Sequence, residues 1–524
     1  MPLSTRSRAF LRLVLPALAA LIEAGRAAAA GGTVITEIDI RSENVFTKSE
    51  AAEAFFPYRL ANALHAVTRK ATVEKYLLFK VGDPLDLNVL ADTERNLRAS
   101  GLFRYVLIRA EGAKVIVETA DAWTLLLRGS LSKKAGVLTY QAGVEESNVA
   151  GTGRELKFLY DKGTERSSRS FSYVDPAFFR PYTQLRLLYS DLSDGTAYEA
   201  RLQRPFYALN TPWSAGVVYR QARFQPTTYA GGEEAASWIE HQTVFRAEAG
   251  ILKTATSSSA IRLLASGEWT NTTLGAGDFG PPPPTDGPPR RFLFLGAAVE
   301  REARRWIQRA NAERIGRVED INLAPVGRFE LDFSPEVFGA TGAARVVTRG
   351  SMGTLLPQGY STATLAGETR YENGPQNAIV NLDLRAYLQS PRFTFVARVG
   401  AVSGWNLDPE VQFFLDGENG LRAYHLHAVT GTGHVVGNLE LRTVFFYDVL
   451  KLVSFGAAAF ADVGLSWGEP DGFWRLADAG VGLRFGLPRS SSNSLLRLDI
   501  ARAFRPDPLG RTGWLLTFAS SQAF

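Results

Sequence analysis

The 524-residue sequence contains no cysteine, and this absence excludes several kinds of site. Without cysteine the chain has no disulfide framework, no thiolate zinc or iron–sulfur site and no cysteine nucleophile. The sequence also lacks a segment in which charge of one sign is concentrated. Its 58 basic and 53 acidic side chains give a net charge of +5 that is spread along the sequence. The chain therefore has no like-charged tail of the kind that binds nucleic acid, and we expect no nucleic-acid partner.

After residue 30 the sequence also lacks an apolar run long enough to cross a bilayer as a helix, which requires about 20 residues. Hydrophobic residues nevertheless make up 45% of the composition and aromatic residues 11%, which provides for a large core and excludes a disordered chain. A soluble protein and a membrane β-barrel both fit these totals, because barrel strands alternate apolar and polar side chains. The distribution of apolar residues has to decide between them.

Residues 1–30 have the features of a secretory signal peptide. Arg6, Arg8 and Arg12 accompany the apolar stretch 13–22, and alanines just before residue 31 provide a cleavage site. The apolar stretch is too short for a membrane anchor. We therefore expect an exported protein, which is either soluble outside the cytoplasm or held in a membrane by β-strands.

Residues 31–122 are predicted to form a small α/β domain. Alternating residues predict a strand at 34–40, and helical stretches are expected between 47 and 68. Apolar residues at helical spacing predict a further helix over 86–100, which Gly101 ends. Two alternating strands then form a hairpin, so the order is strand, helices, strand, strand.

The segment 77–121 resembles a POTRA domain, the periplasmic module of BamA- and TamA-type outer-membrane proteins. The resemblance rests on the pattern LLFKVGDPLD…ADTERNLRASGLFRYVLI…KVIVETAD and on Arg95 and Arg98, which flank Leu97 as in the family. It implies a domain that binds other polypeptides by adding them as a strand to its sheet edge. A generic α/β spacer domain is the alternative, and only one copy is found in 31–122.

Residues 123–524 carry short alternations of apolar and polar residues, separated by glycine, proline, asparagine and serine. Barrel strands between lipid and a polar lumen need this period of two, although a soluble sandwich shares it. The high aromatic content and the absence of helical periodicity after residue 122 favour the membrane. The expected fold is therefore mainly β, a transmembrane antiparallel barrel. Sixteen strands, the number taken from the resemblance, would leave about 25 residues for each strand and its connector.

The end of the chain resembles the signal that the barrel-insertion machinery reads. Phe524 is terminal, and Phe518 lies in phase with it on a predicted last strand. A different feature marks a loop: the stretch 280–289 (GPPPPTDGPP) cannot pair in a sheet, because proline lacks the amide donor. We expect this stretch in an exposed, extracellular loop.

The segment 416–424 resembles the tip of the long loop that folds back into the lumen of BamA-type barrels. Arg422 and Tyr424 match the arginine and the aromatic residue of that signature, whereas Ala423 replaces the usual glycine. A guanidinium buried in a lumen must be paired, because an unpaired buried charge costs several kcal/mol. The motif therefore calls for an acidic partner on the barrel wall.

The segment 460–464 (FADVG) matches the family's inward-facing strand and supplies that partner. Phe460, Asp462 and Gly464 share one face of a strand, so the carboxylate can point inward beside a glycine that makes room. We expect an ion pair between Arg422 and Asp462 that locks the loop inside the barrel. The alternative is that these are two unrelated charges.

No catalytic, metal or cofactor site is predicted. His425, His427 and His434 follow the loop motif and would be candidate metal ligands, but no carboxylate cluster accompanies them and polar lumen residues explain them equally well. A barrel lipase would need a serine, histidine and acidic constellation, and Gly-x-Ser-x-Gly is absent. We therefore expect a protein that is not an enzyme and needs no cofactor.

The resemblance implies a member of the BamA/TamA superfamily in the bacterial outer membrane, with residues 31–122 in the periplasm and the barrel at 123–524. Such a protein inserts or translocates polypeptides. Expected partners are outer-membrane lipids, unfolded outer-membrane or secreted polypeptides, and periplasmic proteins. The alternatives are a dedicated exporter of one secreted partner and a passive pore or surface scaffold. Residues 225–345 match no known motif.

Overall fold

The structure is a computed structural model of the chain. The predicted signal peptide at 1–30, the proline-rich stretch 280–289 and Phe524 lie outside the residues that it describes, so their roles stay predictions. Among the described helices, none combines the length and the apolar character needed to cross a membrane. The described residues are 33–47, 56–134, 137–163, 165–179, 181–277, 290–450, 452–488 and 495–519.

The N-terminal domain is a three-stranded sheet with helices packed on it. Its sheet order is β1–β3–β2, with β1 parallel to β3 and β2 antiparallel to β3. The elements are β1 (Glu37–Glu43), α1 (Phe56–Leu64), α2 (Lys70–Glu74), α3 (Leu87–Ala99), β2 (Phe103–Glu111) and β3 (Lys114–Asp121).

Two local features fix the ends of these elements. The carboxylate of Asp86 accepts a hydrogen bond from the amide of Asn88 at 2.8 Å and caps the predicted helix α3. The first strand begins three residues later than the expected 34–40, because the amide of Ile35 is already bonded to the carbonyl of Asp83 at 2.9 Å. Leu97, which the sequence motif places between two arginines, is fully buried in the domain core.

The rest of the chain is built almost entirely of strands, as the period-two pattern predicts. The strands are β4 (Leu125–Lys134), β5 (Val137–Glu146), β6 (Glu155–Lys162), β7 (Ser167–Asp175), β8 (Gln184–Leu192), β9 (Gly195–Arg204), β10 (Trp213–Phe224), β11 (Thr227–Ala230), β12 (Glu233–Ala255), β13 (Ser259–Ala276), β14 (Arg290–Ala303), β15 (Trp306–Ala310), β16 (Val318–Asn322), β17 (Val326–Ser334), β18 (Ala343–Leu356), β19 (Gly359–Tyr371), β20 (Pro375–Gln389), β21 (Phe393–Trp405), β22 (Phe413–Leu415), β23 (Val429–Gly431), β24 (Gly433–Val449), β25 (Val453–Trp467), β26 (Trp474–Gly486), β27 (Leu495–Ala503) and β28 (Gly513–Ala519).

Apart from the separate pairs β15–β16 and β22–β23, these strands form a closed antiparallel barrel in which β28 pairs with β4. Within the described residues the wall has twenty strands, and β11 extends the pairing of β12 beyond the end of β10. The expected number of sixteen strands is therefore wrong. Many connectors are shorter than that count assumed: 193–194 and 357–358, for example, are two-residue turns.

The wall separates an apolar outer face from a polar lumen. On β20, Val380, Leu382 and Leu384 are exposed on the outside, whereas the alternate residue Asp383 forms ion pairs with Arg385 and Arg398 in the lumen. An apolar belt outside and charged pairs inside are the pattern of a barrel that spans a membrane.

The N-terminal domain is joined to the barrel by a short, buried connection. Only 122–124 separate β3 from β4. The side chain of Asp121 is fully buried and its Oδ2 lies 2.8 Å from Nε2 of His65, while the amide of Thr68 donates to the same oxygen at 2.7 Å. We call the barrel end that carries the start of β4 the proximal end and the opposite end the distal end.

Candidate functional site

The distal connection between β21 and β24 folds back into the lumen, and we call residues 406–432 the lumen loop. It contains the small antiparallel pair of β22 and β23. Leu415, Leu421 and Val429 of the loop are fully buried in a cluster with residues of β24, β25 and β26. The loop therefore packs on the inner wall of the barrel and fills the lumen next to these strands.

Arg422 lies at the centre of this contact. Its Nε and Nη2 donate to the two carboxylate oxygens of Asp462 at 2.8 and 2.9 Å, and its Nη1 donates to Glu440. The guanidinium also lies 3.5 Å from the ring centroid of Phe460. Two carboxylates and an aromatic face thus compensate a charge that is almost fully buried.

Gly464 provides the space for the loop. A Cβ at this position would lie 2.6 Å from Cδ1 of Leu415 and 3.1 Å from Cδ1 of Leu421. These distances are shorter than ordinary van der Waals contacts, so a larger side chain would force Leu415 and Leu421 to shift.

Tyr424 ties the loop to two further strands. Its hydroxyl oxygen lies 3.0 Å from the carbonyl oxygens of Ala477 and Arg505 and accepts a hydrogen bond from the amide of Ala477 at 3.2 Å. Ala423 is buried, and its amide lies 3.3 Å from Oδ2 of Asp478.

The five residues proposed for the loop lock are therefore in one place, whereas the proposed C-terminal signal lies elsewhere. Phe518 is on the outward face of β28, opposite Leu498. Phe524 is outside the described residues.

The sequence did not identify Glu440 and Arg442, which extend the network along the inner face of β24. Nε of Arg442 donates to Oε1 of Glu440 at 2.8 Å, and both side chains are buried. The alternating pattern of β24 could have identified them as inward residues, because they alternate with the outward residues Leu439 and Leu441.

A second segment enters the barrel from the proximal end, within the stretch that matched no motif. It is the hairpin of β15 and β16, which we call the proximal hairpin. Its tip reaches β24, where Nη1 of Arg442 donates to the carbonyl of Ala312 at 2.7 Å and the side-chain amide of Asn311 donates to the hydroxyl of Tyr447 at 3.1 Å.

A recess made by two glycines receives Ile315 of the proximal hairpin. A Cβ at Gly486 would lie 2.7 Å from Cβ of Ile315, and one at Gly456 would lie 3.3 Å from its Cδ1. Polar and apolar residues are mixed over 306–322, so the sequence does not predict this insertion. They are mixed because the hairpin contacts the lumen and also has a face toward the N-terminal domain.

That face binds helix α3. Nε of Arg98 donates to Oδ2 of Asp320 at 2.9 Å, and the guanidinium of Arg95 lies 5.5 Å from the ring centroid of Trp306. Asp92 pairs with Arg304 at the base of the hairpin. The two arginines of the POTRA-like motif thus dock the domain on the barrel.

The pKa values of Arg98 and Tyr76, both in the N-terminal domain, reflect burial and pairing. Burial lowers the pKa of Arg98, but hydrogen bonds from Arg98 to Glu94 and Asp320 outweigh it and leave the pKa raised. Burial raises the pKa of Tyr76 to about 12, with a smaller contribution from Asp175 at a proximal turn of the barrel. Both groups keep their ordinary charge at neutral pH.

The remaining contacts spread around the proximal rim. Oγ1 of Thr72 donates to the carbonyl of Gly151 at 2.8 Å in the turn between β5 and β6, and the hydroxyl of Tyr182 donates to the carbonyl of Leu77. On another part of the rim, Phe46 packs with Leu452 in the turn between β24 and β25. The domain therefore lies across the proximal mouth.

The overall arrangement has counterparts among solved structures. The chain is similar in structure to CdiB and BamA. For CdiB from Escherichia coli, the identity is 10%, the alignment covers 99% of this chain and 98% of that chain, and the TM-score is 0.48. For CdiB from Acinetobacter baumannii the values are 12%, 98%, 96% and 0.41.

The crystal structure of BamA from Haemophilus ducreyi lacking POTRA domains 1–3 matches with 13% identity over 92% of this chain and 84% of that chain, at a TM-score of 0.40. Each of the three alignments covers 92% or more of this chain. No protein-family model and no curated protein sequence matches this sequence.

A separate charge network lines the lumen wall at β12, β13, β17 and β18. Nη1 of Arg328 donates to Glu248 at 3.0 Å, and Nη1 of Arg246 donates to Glu268 at 3.0 Å. Arg345 joins it through a bond of 2.7 Å to Glu268. Every guanidinium named here has a carboxylate partner, so this wall is polar and electrostatically balanced.

Of the three histidines near the loop motif, His427 and His434 lie in different places. His427 stacks on Tyr229 with ring centroids 3.8 Å apart, and its Nε2 lies 3.3 Å from Glu165. His434 is on β24. Within the described part of the chain, no group of three histidine, aspartate or glutamate side chains is arranged to hold a metal ion.

Proposed function

We propose that this chain is an outer-membrane β-barrel protein that inserts or translocates polypeptides, with its N-terminal domain in the periplasm. The apolar outer face and the charged lumen of the wall support the membrane location. The proximal end is then the periplasmic end, because the N-terminal domain lies across it.

One observation carries the proposal: an open sheet edge is held beside the mouth of the barrel. The outer edge of β1 has no strand partner among the described residues. Such an edge presents unpaired amide and carbonyl groups to which an extended polypeptide can be added.

The other edge of the sheet is less accessible. The amide of Ile108 on β2 donates to Oε2 of Glu94 on α3 at 2.9 Å, so part of this edge is already occupied. We therefore assign client capture to β1 and expect side-chain specificity to be low, because strand addition reads the backbone.

The barrel supplies a second edge where it closes. β28 and β4 pair to complete the wall, and their separation would expose the edges of both strands to a client. The free energy of client folding would drive insertion without a nucleotide or cofactor. The two segments inserted in the lumen argue against a passive pore, since the lumen loop and the proximal hairpin both obstruct it.

Crosslinking in cells tests the proposal. A photoreactive amino acid at Arg41, which is exposed on β1, should capture unfolded outer-membrane polypeptides. The same group at Asn88, which is exposed on α3, is the matched control and should not. Capture of a single secreted polypeptide would favour a dedicated exporter, and equal labelling from both positions would contradict the assignment to β1.

A further inference from the structure

A cavity of ≈ 510 Å³ lies inside the proximal end of the barrel, between the proximal hairpin and the wall. The hairpin lines it with residues 309–311 and 314–315, and the wall lines it with the stretches 357–359 and 389–394, among others. Arg392, in the turn between β20 and β21, is exposed, so solvent reaches the cavity there. The cavity is therefore an inner pocket that opens at the proximal mouth.

Positive charge dominates the lining of this cavity. Five arginines line it, and no aspartate or glutamate is among the described residues that do so. Two of the five, Arg442 and Arg484, pair with carboxylates of the wall. The other three make no ion pair within the part of the chain that the structure describes, and they are Arg309, Arg314 and Arg392.

The acidic residues at the tip of the hairpin are engaged elsewhere. Glu313 accepts a hydrogen bond from the hydroxyl of Tyr387. Oε1 of Glu319 accepts hydrogen bonds from the backbone amides of 312–314 at 3.0 to 3.1 Å. Neither carboxylate lines the cavity, so neither provides a counter-charge inside it.

We propose that this cavity binds an acidic segment of an extended client polypeptide. The carboxylates of the segment bind Arg309, Arg314 and Arg392, since guanidinium groups bind carboxylates through charge-assisted, often bidentate hydrogen bonds. Uncompensated positive charge at the mouth also raises the local concentration of acidic segments. The inference rests on the proposed function and deepens it, because it gives the clients a chemical preference that strand addition at β1 does not provide.

The size and position of the cavity favour a polypeptide over a free anion. A single inorganic phosphate would fill only a small part of ≈ 510 Å³. The side-chain amides of Gln358 and Gln389 also line the cavity, and such groups can bond to both the donors and the acceptors of a peptide backbone. The cavity opens at the same end of the barrel at which the N-terminal domain holds the open edge of β1.

Binding of a defined peptide to the full-length protein in detergent tests the site. The probe is a short glutamate-rich peptide with a neutral fluorophore, measured by fluorescence anisotropy and compared with the same peptide carrying glutamine at each glutamate. We expect Arg309→Gln combined with Arg392→Gln to weaken binding of the glutamate peptide about tenfold, and the glutamine peptide to bind weakly to every variant. The matched control combines Arg301→Gln, outward on β14, with Arg349→Gln, on the lumen wall at β18, and removes the same charge away from the cavity.

The proposal is overturned if the two double variants bind the glutamate peptide equally well. It is also overturned if inorganic phosphate displaces the peptide at an equal concentration of charge, because the site would then recognise a free anion. If Arg309→Gln loosens the hairpin, Arg392→Gln alone is compared with Arg349→Gln.

Client crosslinking from Arg41 is measured on the same variants. Peptide binding that does not depend on Arg392, together with capture from Arg41, refutes the cavity site and leaves the proposed function standing. Peptide binding that depends on Arg392, without capture from Arg41, supports the site and contradicts the assignment of capture to β1.

Discussion

Arg442 donates a hydrogen bond of 2.7 Å to the carbonyl oxygen of Ala312, although the two residues are 130 positions apart in the sequence. The same guanidinium binds Glu440, which also pairs with Arg422 of the lumen loop. Two segments that enter the barrel from opposite ends are therefore joined through one carboxylate on β24.

Replacing Arg442 should release the proximal hairpin. Arg442→Met removes the bond to Ala312 and leaves Glu440 paired with Arg422, so amide hydrogen exchange should rise in 309–317 more than in the lumen loop. Arg301→Met, on the outer face of β14, is the control. Equal protection of the hairpin in both variants would show that Arg442 does not hold it.

The pair of Arg422 and Asp462 should be strongly coupled. Asp462→Asn leaves the buried guanidinium of Arg422 with Glu440 as its one carboxylate, so the cost should lie below the about 3–5 kcal/mol of a buried charge left without a partner. We expect the lumen loop to become sensitive to protease and the barrel to unfold at a lower temperature.

Charge reversal distinguishes a specific pair from two unrelated charges. Arg422→Asp combined with Asp462→Arg should restore loop protection, provided that Glu440→Gln removes the carboxylate that would face the new one at 422. A triple variant no better protected than Arg422→Asp with Glu440→Gln alone would refute the lock.

Gly464 should tolerate no larger side chain. Gly464→Val places atoms where Leu415 and Leu421 now lie, so protease should cut the lumen loop although the barrel remains folded. Gly267→Val on β13 is the matched control, since the nearest atom to a Cβ there is 3.8 Å away. Comparable digestion of both variants would contradict this role.

Conductance should appear only when both insertions are displaced. Gly486→Val would expel Ile315 and the proximal hairpin, and Gly464→Val would expel the lumen loop. In planar bilayers each single variant should conduct little, whereas the double variant should form a steady pore. A large conductance in either single variant would mean that one segment alone closes the lumen.

Much of the fold follows from local sequence patterns. The apolar spacing that predicts a helix over 86–100 corresponds to α3, and the period of two in the sequence agrees with the outward positions of Leu382 and Leu384. Parity also places Asp462 inward, and the resemblance names Arg422 as its partner, which the geometry brings to 2.8 Å. These features depend on neighbours in sequence or on a motif with fixed spacing.

The strand number and the proximal hairpin depend on other information. Alternation gives the direction of each side chain but not the point at which a strand turns, and β12 alone runs over 23 residues before a short turn. The hairpin binds residues more than 70 positions away, such as Asn311 with Tyr447, and no local pattern encodes that pairing. Glu440 was overlooked because two of its three arginine partners, Arg422 and Arg484, come from other segments of the chain.

The short connection at 122–124 makes the N-terminal domain a lever on the barrel. Asp121 at the start of this connection is buried and bonded to His65 and Thr68. The connection therefore cannot absorb a rotation of the domain. Such a rotation is passed as torque to β4, and β4 is one of the two strands between which the barrel closes. A polypeptide bound at the open edge of β1 would therefore act mechanically on the closure of the wall.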